Sequence, residues 1–225
     1  EEHVKVIETV IQKAKGRCKI IAGTGANSTA EAIELTMFAK RAGSDATLQV
    51  TPYYNKPSQE GLYRHFSTIA DDVGLPVVLY NIPGRSGVPI AVETIAKLAK
   101  NPKIIAVKEA GGSAERVSAI LDLCDITVLS GDDSLTLPMM SIGAQGVISV
   151  ASNVYPKEIK KMVDAFLSGD PFTAMRMHKI LYPVFRDFFI ETNPVPVKAA
   201  LAMKGLIEES YRLPLCPIAD KNREI

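Results

Sequence analysis

Net charge, cysteine pairs and long apolar runs are what this 225-residue chain lacks, and each absence removes a class of function. Lys and Arg total 26 against 25 Asp and Glu, a formal net charge of +1, and the basic residues never cluster into a block. Nothing there would hold the phosphates of a nucleic acid or an acidic membrane surface. The three cysteines, Cys18, Cys124 and Cys216, are odd in number and far apart. They lack the paired spacing of a zinc or redox site, which fits reduced thiols in a cytoplasmic protein. No stretch approaches the ~20 apolar residues of a membrane span, and Glu1 to Lys5 carry no signal-peptide pattern. The expected partner is therefore a small molecule or another subunit. The chain also begins without Met, and Val4, Ile7, Val10 and Ile11 already follow helical spacing. The expectation is that the true N-terminus lies upstream.

What is present is a regular alternation. Short runs rich in Val and Ile, at Lys19–Ala22, Ala46–Val50, Pro76–Tyr80, Ile104–Val107, Ile126–Leu129 and Gly146–Val150, read as six strands. Helical apolar spacing fills the intervals, as in Ser28–Ala42 and Val92–Lys100. Strand and helix alternating without hairpin turns predict parallel strands buried on both faces. Polar, Gly-rich or Pro-rich residues follow the C-terminal ends of successive strands: Gly-Thr-Gly after Ala22, Thr-Pro-Tyr-Tyr after Val50, Asn-Ile-Pro-Gly-Arg after Tyr80, Lys-Glu after Val107 and Gly-Asp-Asp after Ser130. Chemistry gathered at one rim predicts a (β/α)8 TIM barrel over a doubly wound sheet, which concentrates ligand contacts at one switch point. A barrel needs eight units, so two strands are expected to precede Glu1. Three helical segments follow, at Pro156–Ser168, Pro171–Ile190 and Pro194–Lys204, with Pro156 and Pro171 at first-turn positions. The expected domains are a partial barrel over residues 1–155 and a helical appendage over 156–225.

Lys108 is the first candidate for chemistry. In Ile104-Ile105-Ala106-Val107-Lys108-Glu109, period two puts Ile104, Ala106 and Lys108 on one face and Ile105 and Val107 on the other, toward the helices. An apolar base beneath Lys108 disfavours its charged form, and a neutral amine is what imine formation requires. The plainer alternative is a strand-end lysine that reaches water or pairs with Glu109. Tyr80 and Arg85 share the next rim segment. A phenol can relay protons and a guanidinium fork suits a carboxylate, although each residue also has an ordinary reading, as a core aromatic and a solvated loop cation.

Five motifs together resemble the dihydrodipicolinate synthase family: Tyr80-Asn-Ile-Pro-Gly-Arg85-Ser-Gly, Ile-Ala-Val-Lys108-Glu-Ala, Val50-Thr-Pro-Tyr-Tyr-Asn, Leu-Ser-Gly-Asp132-Asp and Gly146-Val-Ile-Ser-Val. The resemblance runs from Glu1 to the Pro-Val-Pro-Val-Lys-Ala-Ala stretch near Lys198 and beyond. It implies a class I aldolase, needing no metal or organic cofactor, that condenses pyruvate with L-aspartate 4-semialdehyde in lysine and diaminopimelate biosynthesis. Lys108 matches the imine-forming lysine, Tyr80 the proton-shuttling tyrosine and Arg85 the arginine that receives the semialdehyde's carboxylate. Ile148 matches the position whose backbone carbonyl lies against bound pyruvate. Tyr54 matches a tyrosine that crosses a tight dimer interface to complete the relay, with dimers pairing into a homotetramer. Asn27, Glu31 and Tyr53 match residues that bind the feedback inhibitor L-lysine in some bacterial members. The family's Gly-Thr-Thr-Gly-Glu motif, which grips the pyruvate carboxylate, is not in this sequence and is expected ahead of Glu1.

Rival readings are an N-acetylneuraminate lyase, a keto-deoxy sugar acid aldolase, or a barrel that keeps only an interaction role. Arg85 argues against the lyase, whose loop is typically apolar at the matching position. The Gly23-Thr-Gly-Ala-Asn27 turn lacks the third glycine and the spacing of a nucleotide fingerprint. Asp132 and Asp133 have no third ligand in a recognisable arrangement, which predicts a structural role in their loop. His3, His65 and His178 fall in helical segments and are expected to pack or to face solvent.

Overall fold

The computed structural model describes residues 1–225. Six strands hydrogen-bond in sequence order: β1 (Ile21–Gly23), β2 (Ala46–Val50), β3 (Val77–Asn81), β4 (Ile104–Glu109), β5 (Thr127–Ser130) and β6 (Gly146–Val147). The pairs β1–β2, β2–β3 and β3–β4 are parallel. Between the strands lie α1 (Glu2–Ala14), α2 (Thr29–Ala42), α3 (Gln59–Val73), α4 (Pro83–Ser86), α5 (Val92–Leu98), α6 (Ala114–Leu123) and α7 (Thr136–Met140). After β6 come α8 (Pro156–Leu167), α9 (Pro171–Asp187), α10 (Val195–Met203) and α11 (Asp220–Arg223). The expected α/β alternation and the six strands are therefore present.

Packing divides the chain into two units. The first comprises residues 1–129 and 142–144, the second residues 130–141 and 145–225. The division falls earlier than the boundary expected at residue 155. Its physical reason is that Val147, Val150 and Ala151 pack into the same apolar cluster as Ile159, Met162, Leu181 and Phe185 of α8 and α9.

In the first unit the branched residues Val77, Val78, Leu79 and Val107 are completely or almost completely buried, as expected of strands covered on both faces. Ile7 of α1 and Ala39 of α2 close on Ala22 of β1. Helix ends follow local rules. Ser58 and Ser113 turn their hydroxyls back to accept from the Gly61 and Arg116 N–H groups at the starts of α3 and α6. Gly43 ends α2 at φ +99°, a conformation closed to most side chains. A buried polar cluster joins β1, β2 and α2: the Gln49 amide donates to Thr24, Thr36 and Thr47, and the Thr24 hydroxyl meets those of Thr36 and Thr47.

Strict alternation along β4 does not hold. Val77 pairs with Ile104, but the next residue, Val78, pairs with Ala106, so Ile105 is an extra residue in the ladder. Ile105 is 44% exposed and does not cover the sheet as expected. A bulge leaves its added residue unpaired and resets the pleat. From Ala106 onward the period is regular. Val78 and Ala106, then Tyr80 and Lys108, share one face; Leu79 and Val107, then Asn81 and Glu109, share the other.

In the second unit, β6 stops at Val147 and not at Val150 as expected, because residues 150 and 151 turn to offer their N–H groups to a carboxylate. Asp133 Oδ2 accepts from Val150 and Ala151, each at 3.0 Å. Asp132 Oδ1 accepts from the Ser134 amide and hydroxyl. Both carboxylates thus organise their loop, as predicted for a structural role. Asp170 caps α9 through the Thr173 N–H, 3.0 Å away.

Candidate active site

Tyr80 and Lys108 occupy directly paired positions at the C-terminal ends of β3 and β4. Their side chains leave the sheet on the same face, and the Lys108 Nζ lies 3.9 Å from the centre of the Tyr80 ring. Lys108 is only 9% exposed. The face of the tyrosine ring thus borders the amine directly. Burial pushes the Tyr80 phenol above its ordinary value, and the positive charge of Arg85 works in the opposite direction. The raised phenol stays protonated, and able to donate, further into the alkaline range.

Arg85 is brought to this pair by the short helix α4, which starts immediately after β3. Pro83 stands at its first turn, where a missing N–H costs nothing. The turn is closed by the Arg85 and Ser86 N–H groups on the Ile82 carbonyl, both at 3.0 Å. A buried Ser86 hydroxyl donates to the Ile82 carbonyl as well. The loop that carries the guanidinium is therefore a rigid element, and Arg85 itself is on its exposed side.

Tyr54 is placed differently. It is 90% exposed, with φ +71°, and the Asn55 N–H donates to the Tyr53 carbonyl at 2.9 Å around it. This is a three-residue γ-turn of the strained hand. A bulky residue held at positive φ costs about 1–3 kcal/mol and marks a conformation imposed by its surroundings. Here the imposing contacts come from Asn27, whose side-chain amide donates to the Tyr53 carbonyl and whose own carbonyl accepts from the Asn55 side chain. Asn27 and Tyr53 are thus brought together. Glu31 lies exposed in the first turn of α2.

Ile148 belongs to the second unit, half-buried, where its N–H donates to the Ser130 carbonyl at 2.9 Å. The histidines occupy helical segments. His65 is buried in α3, with Nδ1 against the Thr29 hydroxyl at 2.9 Å, and desolvation lowers its pKa to about 4. His3 bonds the Gly23 carbonyl, and His178 packs on Phe185.

Sequence reasoning missed three residues behind the paired tyrosine and lysine. Asn81 and Glu109, one step further along β3 and β4, bond each other on the opposite face, and Arg116 from α6 joins them at 3.0 Å. From the sequence, Glu109 figures only as a possible partner of Lys108. Period two was the available signal, since adjacent residues in a strand leave on opposite faces.

The model of the dihydrodipicolinate synthetase family matches residues 1–225. The 4-hydroxy-tetrahydrodipicolinate synthase of Pelobacter propionicus is 55% identical over 225 residues, covering 99% of this chain and 78% of the relative. Among solved structures, the 4-hydroxy-tetrahydrodipicolinate synthase of Methylacidiphilum fumariolicum SolV superposes with a TM-score of 0.98 at 53% identity, over 99% of this chain and 75% of that one. A dihydrodipicolinate synthase from Cyanidioschyzon merolae, solved with lysine bound, gives a TM-score of 0.95 at 43% identity over 99% and 77%. A match along every residue, with identity near one half and the same backbone, leaves one assignment: this chain belongs to the dihydrodipicolinate synthetase family.

Proposed function

We propose that this protein is a lysine-dependent aldolase that condenses pyruvate with L-aspartate 4-semialdehyde to 4-hydroxy-tetrahydrodipicolinate, in lysine and diaminopimelate biosynthesis. The observation that carries the reading is the buried Lys108 amine held over the Tyr80 ring beside Arg85. Relatives that carry the 4-hydroxy-tetrahydrodipicolinate synthase name over the whole chain support it.

In this reading the Lys108 amine adds to the pyruvate ketone carbon, and the carbinolamine loses water to give an imine. The protonated imine withdraws electrons from the adjacent methyl group, which loses a proton and becomes the nucleophilic carbon of an enamine. That carbon attacks the aldehyde of the second substrate, forming the new C–C bond, and the resulting alkoxide takes up a proton. The substrate's own amine then attacks the imine carbon, closing the ring and expelling Lys108 as a free amine. Each step moves a proton, and in this reading Tyr80 carries it, with Tyr54 joining the relay from a neighbouring subunit across a dimer interface. Arg85 receives the semialdehyde's carboxylate. For the Ile148 carbonyl against pyruvate, the support is the family resemblance alone.

The sheet is read as part of a (β/α)8 barrel, and dimers as pairing into a homotetramer in the cytosol. L-lysine is the proposed inhibitor at Asn27, Glu31 and Tyr53, a reading supported by the Asn27–Tyr53 contact and by the lysine-bound relative. The test of the central claim is borohydride reduction with pyruvate, followed by peptide mass mapping. A stable adduct confined to Lys108 is expected, with turnover on aspartate semialdehyde and none on sialic acid. Folded full-length protein that forms no adduct would sink the imine.

A further inference from the structure

Glu109 is fully buried, and all of its bonding capacity is directed away from the face that carries Lys108. Its two carboxylate oxygens accept from the Asn81 side-chain amide at 2.8 and 2.9 Å. Oε1 also accepts from the Gly111 N–H at 2.7 Å, and Oε2 from Arg116 Nε at 3.0 Å. Gly111 is there because of this approach: a Cβ at that position would meet Glu109 Oε1 at 2.6 Å and Asn81 Nδ2 at 3.4 Å.

The cluster does more than satisfy itself. The Asn81 side-chain oxygen accepts from the Ile90 N–H at 2.9 Å, and Arg116 Nη2 donates to the Ile90 carbonyl. Both backbone groups of this buried residue are consequently held by the cluster. Ile90 closes the segment that begins after β3 and carries Arg85. One set of bonds therefore spans the two strands that bear Tyr80 and Lys108, the far end of the loop that bears Arg85, and the start of α6.

We infer that Asn81, Glu109 and Arg116 form a positioning device for the reaction, fixing the Tyr80–Lys108 spacing from the opposite face of the sheet and pinning the Arg85 loop through Ile90. The inference rests on the roles proposed above for Tyr80, Lys108 and Arg85. None of the device's side chains reaches substrate, so its effect is on geometry, where displacement by an ångström can cost about 10²-fold in rate.

The experiment uses the full-length protein and the variants Glu109→Gln and Asn81→Asp/Glu109→Gln. The single change sets two side-chain amides against each other and leaves Arg116 without its carboxylate. The double change restores a donor–acceptor pair between residues 81 and 109 with the charge kept, but still sets a side-chain NH2 against either the Gly111 N–H or Arg116. Expected for Glu109→Gln, per folded molecule, is a kcat about tenfold lower, slower borohydride trapping of pyruvate and a raised KM for aspartate semialdehyde. The double variant should recover part of each. A purely structural role would lower the melting temperature of Glu109→Gln and leave kcat and both KM values unchanged in its folded fraction, which overturns the inference. If Glu109→Gln does not fold, Arg116→Lys, which keeps the charge but loses the fork to Ile90, takes its place: the same kinetic losses support the device, and unchanged kinetics overturn it. Unmutated protein that forms no pyruvate adduct refutes the proposed function; adduct formation in it with unchanged variant kinetics refutes only the positioning device.

Discussion

Tyr80 and Tyr54 are held by opposite means. Tyr80 leaves a paired strand, its ring is half-buried, its partner Lys108 is set by sheet register, and the residues behind both strands, Asn81 and Glu109, are cross-linked by hydrogen bonds. Tyr54 has no strand and little packing: a bent backbone, tied down by Asn27, presents nearly its whole side chain to solvent. The first arrangement is complete where it stands. The second spends conformational energy to display an aromatic group, which makes sense when something else supplies the packing. A buried pair keeps its geometry because many contacts agree on it, whereas a displayed residue keeps only its direction.

Lys108→Ala breaks the buried half of this comparison most severely. Turnover should fall by on the order of 10⁴-fold or more, the loss expected for a covalent nucleophile, with no borohydride adduct and an unchanged circular dichroism spectrum. Two phenylalanine variants sharpen it. Tyr80→Phe keeps the ring beneath the amine and removes only the hydroxyl, so kcat should drop about 10²-fold, within the range of lost acid–base catalysis. Tyr54→Phe alters a solvated hydroxyl and should leave the folding stability within about 0.5 kcal/mol of the original. Its kcat should nonetheless fall if the residue acts in a neighbour's site, and wild-type kinetics in this variant would remove Tyr54 from the relay.

The last expected effect is on stability and not on turnover, and concerns the ground on which the Tyr53–Asn55 turn stands. Asn27 lies just before α2, whose first residue, Thr29, bonds the buried His65. With a pKa of about 4 when folded and an ordinary value of 6.5, His65 takes up a proton more readily in the unfolded chain. Stability is therefore full above pH 6.5 and declines as the pH falls toward 4, by on the order of 3 kcal/mol. His65→Gln should flatten that part of the melting-temperature profile. A profile as steep as the unmodified protein's would assign the loss to other groups.

Much of this was legible in the sequence, for reasons that differ by residue. The Val-, Leu- and Ile-rich runs at 77–79 and 104–107 announce strands, because branched side chains fill a sheet covered on both faces. Lys108, Tyr80 and Arg85 can be singled out as candidates from the sequence because the motifs that hold them are contiguous. Asn81 and Glu109 are just as close in the chain to those motifs, yet their pairing joins positions 28 apart, and only the register between strands reveals it. The end of β6 was misplaced for a related reason. Aliphatic character continues through Ile148 and Val150, but Asp133, distant in sequence, takes the backbone amides that would have prolonged the ladder.

The single added residue at Ile105 reaches further than its own position. Side chains on a strand obey a parity rule, and one inserted residue inverts the parity of everything that follows relative to the neighbouring strand. Paired without that insertion, the ladder that starts at Val77 and Ile104 would set Tyr80 opposite Val107 and Asn81 opposite Lys108. The amine would then share a face with the amide that now serves the carboxylate, on the side given over to helices. Half a pleat of phase, stored in one unpaired isoleucine, decides that the Lys108 amine and the Tyr80 phenol look the same way.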